Sequence, residues 1–577
     1  MADLADADYV VVGGGITGCV IASRLSQSGD SDQKKPQVVL LEAGPDPAGN
    51  PAAAGFLSGL SLLGSEYDYS FRTEPVSGTA DRVHTLNVGK VLGGGSILNL
   101  GGWLRADAAD YDDWGHAVGD ERWSYAGLKP WFCKTERFFS GDDVCTDTEH
   151  YGRDGPMHVA PVSVGESGIR KYPLREPVRE AWAELGVPAN LRRKHGRNGG
   201  LVEFSENARE GMRQPAQSVY PLDDSETPVR VYTNTLVRRV IFSEEKDKNG
   251  VTTAIGVELA DGRTITARKE VILCAGAFRT PQVLMLSGIG PSAVLEAQGI
   301  PLVHDAPDVG QNLHDHFALY LAYRLRDPSL GQALGSAAFQ AKMDPKFSNS
   351  PLPWDWVVSQ PLPAEVIEKH ASEAGKTTTE KQHMHRNLFE VITIYVPPIP
   401  GIPIDGSHIA TSTMLLRPTS RGTVTLRSRD PNDAPRIQPN HLATTLDRDT
   451  LVHAARTTLK AMLETTSMKA IVAGESPPSV IGLGSEGEGL ESPLVPLTAD
   501  DSEEVLEDRI RRTGMAHAHP GGTAAMGKVV DTEGKVLGVK GLRVADASIV
   551  PIPLGGHPQA TLYAMAEQLA SFILRDD

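Results

Sequence analysis

The segment YVVVGGGITG, Tyr9 to Gly18, decides the fold of this chain. Its first four residues form a β-branched and aromatic run that is typical of a buried parallel strand, and residues 16–27 carry apolar side chains at helical spacing. Gly13, Gly15 and Gly18 therefore fall in the turn between a strand and a helix. Because glycine has no Cβ, backbone N–H groups in such a turn can approach a pyrophosphate at the positive end of the helix.

A second strand and an acidic residue extend this unit. Residues 37–41 are predicted to form the strand, which ends at Glu42, 24 residues after Gly18. We expect the Glu42 carboxylate to bind a pair of ribose hydroxyls. The order of strand, turn, helix, strand and acid predicts a βαβ dinucleotide site. It does not distinguish NAD from FAD, since both present an ADP moiety to the same surface.

Length and composition limit the class of protein. At 577 residues the chain exceeds one ordinary core and predicts two domains. Its 40% hydrophobic and 22% charged residues are normal for a globular protein. The net charge of −17, from 56 basic and 73 acidic side chains, would repel nucleic acid and provides no basic surface for anionic membranes. A neutral small-molecule partner fits this charge best.

Targeting and cysteine patterns are also informative. The start, MADLADADYV, lacks the basic and apolar regions of a signal peptide, no apolar run reaches membrane-spanning length, and the final LRDD is not a peroxisomal address. We therefore expect a cytoplasmic protein. The four cysteines contain no CxxC pattern. Cys19 and Cys274 are expected in the core, whereas Cys133 and Cys145 could pair only in an oxidising compartment.

A second glycine-rich stretch, GKVLGGGSILNLGGWLR, covers Gly89 to Arg105. Such a stretch can be a tight loop packed against a sheet, or backbone laid flat against a planar ring system. We favour ring contact, because this loop can present N–H groups to a ring edge and Asn99 can add a side-chain hydrogen bond.

Two further segments return to the nucleotide-binding sheet. After strands and a hairpin at Asp261-Gly262, residues 270–290 contain an apolar strand and a helix that we expect to begin near Pro281. Residues 541–548, GLRVADAS, form a later strand that delivers Asp546 to the same edge.

The middle of the chain has a different pattern. Residues 327–406 are rich in proline, serine and charge, which predicts irregular loops and a lid. SHIATSTMLLRP and GTVTLRS then read as antiparallel strands, and apolar residues of 451–463 share one helical face. A second domain with an antiparallel sheet follows. Five aromatic residues are core candidates that could instead line a pocket: Trp103, Trp354, Trp356, Phe389 and Tyr395.

Histidines mark the C-terminal part. His519 lies in AHAHPGGTAAMG, and His557 precedes Pro558, which is well placed as the first residue of a helix through Leu574. The positive end of that helix would favour an anion beside His557. His314 and His316 bracket Asp315, but three ligands of this kind without others do not predict a metal site.

Together these segments resemble the glucose-methanol-choline family of FAD oxidoreductases over nearly the whole chain. The resemblance rests on residues 89–99, on 276–290, on VGQNLHDH at 309–316 and on the C-terminal HPGGTAAMG and GLRVADASIVP. It implies an α/β fold in which a Rossmann-like FAD-binding domain is interleaved with an antiparallel-sheet, α+β substrate-binding domain. The implied FAD-binding segments are 1–160, 229–318 and 515–577, and the implied substrate-binding segments are 161–228 and 319–514.

The resemblance also implies roles for individual residues. His519 matches the family's catalytic base, His557 matches a second position that hydrogen-bonds the same substrate oxygen, and His517 has no fixed role. Some members hold FAD covalently through a histidine where this chain has Leu98, so we expect non-covalent FAD. With the glycine segments, the expected cofactor contacts are Gly13, Gly15, Ile16, Thr17, Gly18, Glu42, Ala43, Val91, Gly94, Gly95, Ser96, Asn99, Val237, Ala275, Asp546, Ala547, His557, Pro558 and Gln559.

The implied activity is oxidation of an alcohol, primary and either aryl or a specialised metabolite, to an aldehyde or ketone. Hydride passes to flavin N5 and the electrons pass to O2 or another acceptor. Hydroxynitrile lyases share the fold and leave a lyase open as an alternative, since both histidines also suit proton transfer alone. A photodecarboxylase is disfavoured by the paired histidines, and an NAD-linked dehydrogenase by the three returns to the sheet and the long glycine loop.

Overall fold

The structure is a computed structural model that describes residues 6–28, 35–139, 150–165, 168–169, 172–190, 196–223, 229–340, 352–372, 383–479 and 493–576. Two large sheets organise these residues. Their strands, in chain order, are β1 (Ala7–Val12), β2 (Val38–Leu41), β3 (Gly200–Glu203), β4 (Arg230–Tyr232), β5 (Val237–Phe242), β6 (Ala254–Leu259), β7 (Thr264–Leu273), β8 (Phe317–Leu325), β9 (Trp356–Gln360), β10 (Phe389–Ile394), β11 (His408–Leu415), β12 (Val472–Ser476), β13 (Met515–Ala516) and β14 (Leu542–Val544).

Helices cover both sheets. In chain order they are α1 (Ile16–Ser26), α2 (Gly95–Leu98), α3 (Ala108–Val118), α4 (Tyr125–Thr135), α5 (Arg175–Glu184), α6 (Ala216–Val219), α7 (Gly276–Leu286), α8 (Ser292–Ala297), α9 (Ala337–Gln340), α10 (Ala364–Ala371), α11 (Thr445–Leu463), α12 (Thr466–Lys469), α13 (Glu503–Thr513) and α14 (Pro558–Asp576). Smaller sheets pair Phe71–Arg72 with Thr85–Leu86, Met157–Pro161 with Glu136–Phe138 and Ser205–Glu206, and Thr423–Thr425 with Arg436–Gln438.

The first sheet has the predicted dinucleotide-binding topology. Its order is β4–β2–β1–β7–β6–β5, and β14 also pairs with β7. The pairs β1–β2, β1–β7, β2–β4 and β7–β14 are parallel, whereas β6 pairs antiparallel with both β5 and β7. Strands β1 and β2 are almost wholly buried, as expected for parallel strands covered on both faces. The predicted returns of the chain at 270–290 and 541–548 are thereby confirmed.

The second sheet is antiparallel, as predicted. Its order is β12–β8–β11–β10–β9–β3, and β13 pairs with β8. Helix α11 packs on β10 and β11, and its buried residues include those of the predicted apolar face except Leu463, which is half-buried. Strand β13 opens the segment 515–577 that we expected to belong wholly to the first domain, so the chain completes the second sheet before it returns to the first.

Two expectations from the sequence are wrong. Helix α7 begins at Gly276 and contains Pro281 internally. Because proline has no N–H, the carbonyl of Ala277 one turn earlier lacks its helical donor. The Thr523 hydroxyl donates to that carbonyl at 2.6 Å instead, so a residue distant in sequence makes the internal proline tolerable.

The segment 327–406 is also not a lid of irregular loops. Strands β9 and β10 lie within it and are buried in the second sheet. The sequence contains two short β-branched runs here, WVVSQ and FEVITI, but the prolines around them led to the prediction of loops. Residues 341–351 and 373–382 of this segment lie outside the described residues.

The structure tests part of the predictions about cysteine environments and membrane-spanning helices. Cys19 and Cys274 are buried free thiols, as expected for core residues, and Cys133 is a free thiol of intermediate exposure. Cys145 lies outside the described residues. Across the described part of the chain, every helix is too short or too polar to cross a membrane.

Candidate active site

A cavity of about 510 Å³ lies where the carboxyl ends of the first sheet's parallel strands meet the second sheet. The two glycine segments, the first turn of α14 and residues of β8, β10 and β11 all contribute to its wall. Most sequence-predicted residues line it: Gly13, Gly15, Ile16, Thr17, Glu42, Ala43, Gly94, Gly95, Asn99, Val237, Ala275, Asp546, Ala547, His557, Pro558 and Gln559, together with His519.

Three predicted contact residues do not line the cavity. A Cβ on Gly18 would lie 1.9 Å from the carbonyl oxygen of Gly13, so this glycine lets α1 pack closely on β1. Val91 is fully buried in an apolar cluster beneath the second glycine segment. The Ser96 hydroxyl donates to the Gly93 carbonyl at 2.6 Å and accepts from the Ala216 N–H at 2.9 Å. Gly18, Val91 and Ser96 therefore support the cavity wall by packing and hydrogen bonding and do not face the cavity.

The first glycine turn fits an anionic group. A Cβ on Gly15 would meet no heavy atom within 4 Å, which means that this position faces open space. Helix α1 begins directly after it, with no side-chain cap and no acidic residue in its first turn. The first N–H groups of a helix need an acceptor and carry partial positive charge. The turn can therefore receive a pyrophosphate.

Glu42 has two roles at the end of β2. Its carboxylate accepts the Gly14 N–H at 2.8 Å through Oε2 and the Gly44 N–H at 2.8 Å through Oε1. Burial raises the pKa of this carboxyl group, while these backbone donors oppose the shift. Each carboxylate oxygen can accept a further hydrogen bond. The carboxylate thus braces the turn and remains compatible with a ribose hydroxyl.

The second glycine segment packs against the first through backbone. The Gly93 N–H donates to the Gly14 carbonyl at 2.7 Å. Asn99, which we expected to reach the ring, donates instead to Oε1 of Gln559 at 2.7 Å. Gln559 in turn donates to the Gly102 carbonyl at 2.9 Å. This network fixes the start of α14 to the glycine segment.

Asp546 acts mainly as a tether at the end of β14. Its carboxylate accepts the Gly276 N–H at 2.8 Å and the Thr280 hydroxyl at 2.6 Å. It also accepts the N–H and the hydroxyl of Ser548, at 2.8 and 2.6 Å. The side chain therefore holds the start of α7 against the next loop at the cavity edge.

Four histidines, His316, His517, His519 and His557, form what we call the histidine cluster. The ring centre of His519 lies 5.1 Å from that of His557 and 5.0 Å from that of His517. Both His517 and His519 line the cavity, although Ala518 between them has a left-handed φ of 55° and the stretch is not extended. Ring nitrogens of His517, His519 and His557 lie within 4.8 Å of one another.

Hydrogen bonds fix the tautomer of His519. Nε2 of His316 lies 3.1 Å from the Leu554 carbonyl, which can only accept, so His316 carries its proton on Nε2. Burial keeps the pKa of His316 well below its ordinary value, and the ring is neutral. Its Nδ1 must then accept from Nδ1–H of His519, 2.9 Å away. His519 is left with an unprotonated Nε2.

The environment also keeps His519 neutral. Burial, followed by the neighbouring His517, His316 and His557, lowers its pKa well below the ordinary value. Its backbone N–H donates to Oδ1 of Asp315 at 2.7 Å, and burial raises the pKa of that carboxyl group to about 7. The Asp315 contact explains why the DH pair of VGQNLHDH matters: Asp315 holds the His519 backbone and His316 holds its ring.

His557 is oriented by a buried acid. Oε1 of Glu390, on β10, lies 2.8 Å from Nε2 of His557, and the Glu390 side chain is 3% exposed. The carboxylate accepts from Nε2–H, which leaves Nδ1 as the ring nitrogen available to the cavity. His557 also stands immediately before α14, at the helix end where we expected it.

Sequence reasoning missed several of these residues. Glu390 sits in the segment that we read as loops, and His316 was weighed only as a metal ligand. The β-branched run of FEVITI was a signal for β10, but nothing in the sequence pairs Glu390 with His557. Of the five aromatic candidates, Trp354 lines the cavity, whereas the others are buried in the two main cores: Trp103, Trp356, Phe389 and Tyr395.

The fold and cavity define a flavoprotein oxidoreductase. The chain belongs to the GMC oxidoreductase family, whose N-terminal and C-terminal domains match residues 7–318 and 418–566. It is 38% identical to the GMC-type oxidoreductase acuG of Aspergillus aculeatus, over 98% of this chain and 99% of that protein. It is 32% identical to an oxygen-dependent choline dehydrogenase of Burkholderia vietnamiensis, over 98% and 93% of the two chains.

A solved structure gives the same result. An Aspergillus oryzae formate oxidase variant, studied for FAD modification, superposes with a TM-score of 0.85 at 27% identity, covering 100% of this chain and 99% of that chain. The similarity thus extends over both sheets and the cavity between them.

Proposed function

We propose that this protein oxidises an alcohol to an aldehyde or ketone, with non-covalent FAD as the cofactor and His519 as the base. The observation that carries the proposal is the hydrogen-bond series from Leu554 through His316 to His519, which leaves an unprotonated Nε2 on a neutral imidazole beside the cavity. A neutral imidazole with a fixed tautomer is suited to accept the proton of an alcohol.

The cofactor would be held by the residues of the first sheet. The turn at Gly15 and the start of α1 suit the pyrophosphate, and Glu42 suits the ribose, whereas the second glycine segment offers backbone to the ring system. Bound FAD would supply the acceptor for the hydride of the carbinol carbon. The protein's task is to orient that carbon and to remove the hydroxyl proton.

His557 and Glu390 would stabilise the substrate oxygen. His557 hydrogen-bonds this oxygen through Nδ1 as the oxygen loses its proton to His519. The Glu390 carboxylate, 2.8 Å from Nε2, holds the ring in a site from which solvent is largely excluded and stabilises any positive charge that the ring takes up. Hydrogen bonds aimed at a developing oxyanion in such a site favour the transition state over the ground state.

Non-covalent attachment is supported by Leu98. This residue lines the cavity where a histidine would be required for a covalent link in the family members described above. Leucine has no nucleophilic atom, so we expect denaturation in acid to release all the flavin colour into the supernatant. Flavin retained on the polypeptide would contradict this part of the proposal.

The relatives support oxidation without fixing the substrate. One is a choline dehydrogenase that uses oxygen, and another is a formate oxidase, so family membership alone does not identify the donor. We propose a primary alcohol with an apolar, aryl-type body, since the wall includes Phe204, Trp354, Ile392 and Ile394. Molecular oxygen is the proposed acceptor, and an artificial acceptor is the alternative to test.

The direct test is reduction of the bound flavin without oxygen. A panel of aryl and alkyl alcohols is mixed with the purified protein, and flavin absorbance is followed. We expect bleaching by an aryl alcohol, and a rate about 10²- to 10⁴-fold lower in His519→Ala, the usual contribution of a general base. His116→Ala, at an exposed helix position, serves as the control.

Two results would contradict the proposal. Near-normal reduction in His519→Ala, with FAD retained, would remove His519 from the role of base. Turnover of a cyanohydrin without any bleaching would indicate a lyase instead of an oxidoreductase acting on alcohols.

A further inference from the structure

Three imidazole rings converge at the edge of the cavity. They belong to His517, His519 and His557, which all line the cavity, and one ring nitrogen from each lies within 4.8 Å of the other two. We call these residues the three-histidine site. The proposed oxidation uses His519 and His557 and gives no role to His517. Imidazole nitrogen is a preferred ligand of Zn²⁺, Cu²⁺ and Ni²⁺ in proteins.

The backbone fixes the position of each ring. Strand β13 pairs with the start of β8, and the N–H of His517 donates to the His316 carbonyl at 2.9 Å. The N–H of His519 donates to Oδ1 of Asp315 at 2.7 Å. His557 stands immediately before helix α14. The three rings are therefore attached to a sheet edge and a helix start, and their convergence belongs to the fold.

Two of the rings are already oriented as metal ligands. His519 donates its Nδ1–H to His316, which leaves its Nε2 unprotonated. His557 donates its Nε2–H to the Glu390 carboxylate at 2.8 Å, which leaves Nδ1 available to the cavity. A metal-bound histidine almost always donates its other ring N–H to a carboxylate or another acceptor, which fixes the tautomer and the ring orientation. Both rings have this arrangement.

The third ring has a partner that allows the same arrangement. The Tyr320 hydroxyl lies 3.2 Å from Nδ1 of His517. Ser412 lies directly opposite Tyr320 in the β8–β11 pairing, and its buried hydroxyl is free within the described part of the chain to accept the Tyr320 O–H. The Tyr320 oxygen can then accept from Nδ1–H of His517, which leaves Nε2 unprotonated. Burial, followed by His557, lowers the pKa of His517 to about 3, so the ring carries one proton only.

We infer that the three-histidine site binds a divalent transition-metal cation of the Zn²⁺ class, and that the bound cation inhibits the proposed oxidation. Three histidines with an open fourth position form a common zinc site. Zn–N bonds of about 2.0–2.1 Å in a tetrahedron place the nitrogens about 3.4 Å apart, so ring movements of about 1 Å complete the site. Coordination occupies the lone pair of His519 Nε2, which can then no longer accept the proton of an alcohol.

The charges around the site favour a cation. The Glu390 side chain is 3% exposed and lies 2.8 Å from His557, so its negative charge is close to the position of the metal and little screened by solvent. The whole chain has a net charge of −17, which raises the local concentration of cations. Mg²⁺ and Ca²⁺ prefer oxygen ligands, so three nitrogen ligands select a transition metal.

Calorimetric titration of the FAD-loaded protein with zinc chloride tests binding without any turnover. We expect one equivalent of Zn²⁺ to bind, EDTA to remove it, and magnesium chloride to give no binding heat. The zinc-edge X-ray absorption spectrum of the loaded protein should show nitrogen neighbours at about 2.0–2.1 Å.

Variants assign the bound metal to the three-histidine site. His517→Phe keeps an aromatic ring but removes a ligand, and we expect Zn²⁺ affinity to fall by more than about 100-fold, beyond the usual cost of losing an outer partner. Tyr320→Phe removes the hydroxyl that holds Nδ1–H of His517 and should lower the affinity by about tenfold. His116→Phe makes the same chemical change at an exposed helix position and should leave the affinity unchanged.

Flavin reduction without oxygen measures the inhibition. This part rests on the proposed alcohol oxidation, whereas metal binding does not. Zn²⁺ has no redox chemistry of its own, so slower bleaching of the flavin reports occupancy of the site. We expect Zn²⁺ to compete with the alcohol and, at saturation, to slow reduction by about 10²- to 10⁴-fold, as loss of the base would. EDTA should restore the rate.

Metal binding and alcohol oxidation can fail separately. If no alcohol bleaches the flavin but one equivalent of Zn²⁺ binds and is lost in His517→Phe, the oxidation and the inhibition are wrong and the metal site stands. No Zn²⁺ binding, or an unchanged affinity in a folded, FAD-loaded His517→Phe variant, overturns the metal site. Zn²⁺ that binds there while alcohols reduce the flavin at an unchanged rate overturns the inhibition.

Discussion

The two walls of the cavity are made from different parts of the chain. The first-sheet wall is mainly backbone: the Gly93 N–H bonds to the Gly14 carbonyl, and Gly15 leaves open space where a side chain would stand. The second-sheet wall is made of side chains, with the histidine cluster and Glu390 at its edge. Under the proposed function, the first wall holds a large flat cofactor, and the second accepts one proton and contacts the substrate.

This difference indicates which residues affect cofactor binding and which affect the reaction. A backbone wall needs residues that lack side chains, so the same spacing of glycines is required whichever substrate is used. A side-chain wall gathers its groups from distant segments, since His316, Glu390, His519 and His557 meet only in three dimensions. Changes to the first wall should therefore affect cofactor retention, whereas changes to the second should affect rate and pH dependence.

The largest expected effect separates two glycines of the same turn. In Gly18→Ala the new methyl group would lie 1.9 Å from the Gly13 carbonyl oxygen, between backbone segments that cannot move apart. We expect destabilisation of about 3 kcal/mol or more, at the upper end of overpacking costs, together with loss of FAD. Thermal unfolding and the ratio of flavin to protein in the purified variant measure both effects.

Gly15→Ala provides the matched comparison in that turn. Its φ is −74° and its Cβ would meet no protein atom within 4 Å, so the fold should keep its stability. The methyl group would occupy space needed by the pyrophosphate, and we expect FAD affinity to fall by at least tenfold, roughly 1.4 kcal/mol. Equal loss of stability in both variants would show that the turn does not divide into packing and cofactor-facing positions.

A smaller effect is expected for the residue that orients the base. His316→Leu removes the acceptor of His519 Nδ1–H, so His519 can place its proton on Nε2 and lose its function as a base. We expect flavin reduction to slow by about 10- to 100-fold, the lower part of the range for general base catalysis. His316→Gln can still accept from His519 and donate to Leu554, and should recover most of the rate.

The pH dependence tests this positioning role. Burial is the main cause that lowers the pKa of His519 well below its ordinary value, so the active neutral form persists as the pH falls below 6.5. His316 is itself neutral, and leucine keeps the site buried but cannot accept from a protonated His519, so the pKa of His519 should not rise in His316→Leu. We therefore expect the rate to fall by the same factor at every pH. An acidic fall in rate that moves to higher pH in a stable, FAD-loaded His316→Leu variant would contradict the assigned role of His316.

The smallest expected effect concerns Glu390. Glu390→Gln keeps an oxygen that accepts from His557 Nε2–H but removes the negative charge, so orientation is preserved while charge balance is lost. We expect a fall of about 3- to 10-fold in the flavin reduction rate, equivalent to roughly 1 kcal/mol of transition-state stabilisation. Glu390→Leu, which also removes the hydrogen bond, should be slower than Glu390→Gln, and the reverse order would argue against the role of the carboxylate.

Much of the fold could be predicted from local patterns. The strand, turn and helix of Tyr9 to Gly18, the hairpin at Asp261-Gly262 and the helix from Pro558 all follow from short-range rules and are confirmed. The start of α7 was misjudged because Thr523, far along the chain, satisfies the carbonyl that Pro281 leaves free. Strands β9 and β10 were missed because each is a short run between prolines, and their burial depends on neighbouring strands.

The residues of the candidate site also fall into two groups, those that the sequence predicts and those that only the tertiary structure brings together. By itself the sequence determined which residues form most of the first-sheet wall, because glycine spacing and helix starts are local and their physical requirements are strict, and the family resemblance singled out His519 and His557 as candidates. Only the tertiary structure decided which ring nitrogen of His519 is unprotonated, that Glu390 faces His557, and that the Tyr320 hydroxyl contacts His517. These properties depend on hydrogen bonds between residues up to 238 positions apart, and such contacts produce no periodic pattern in the sequence.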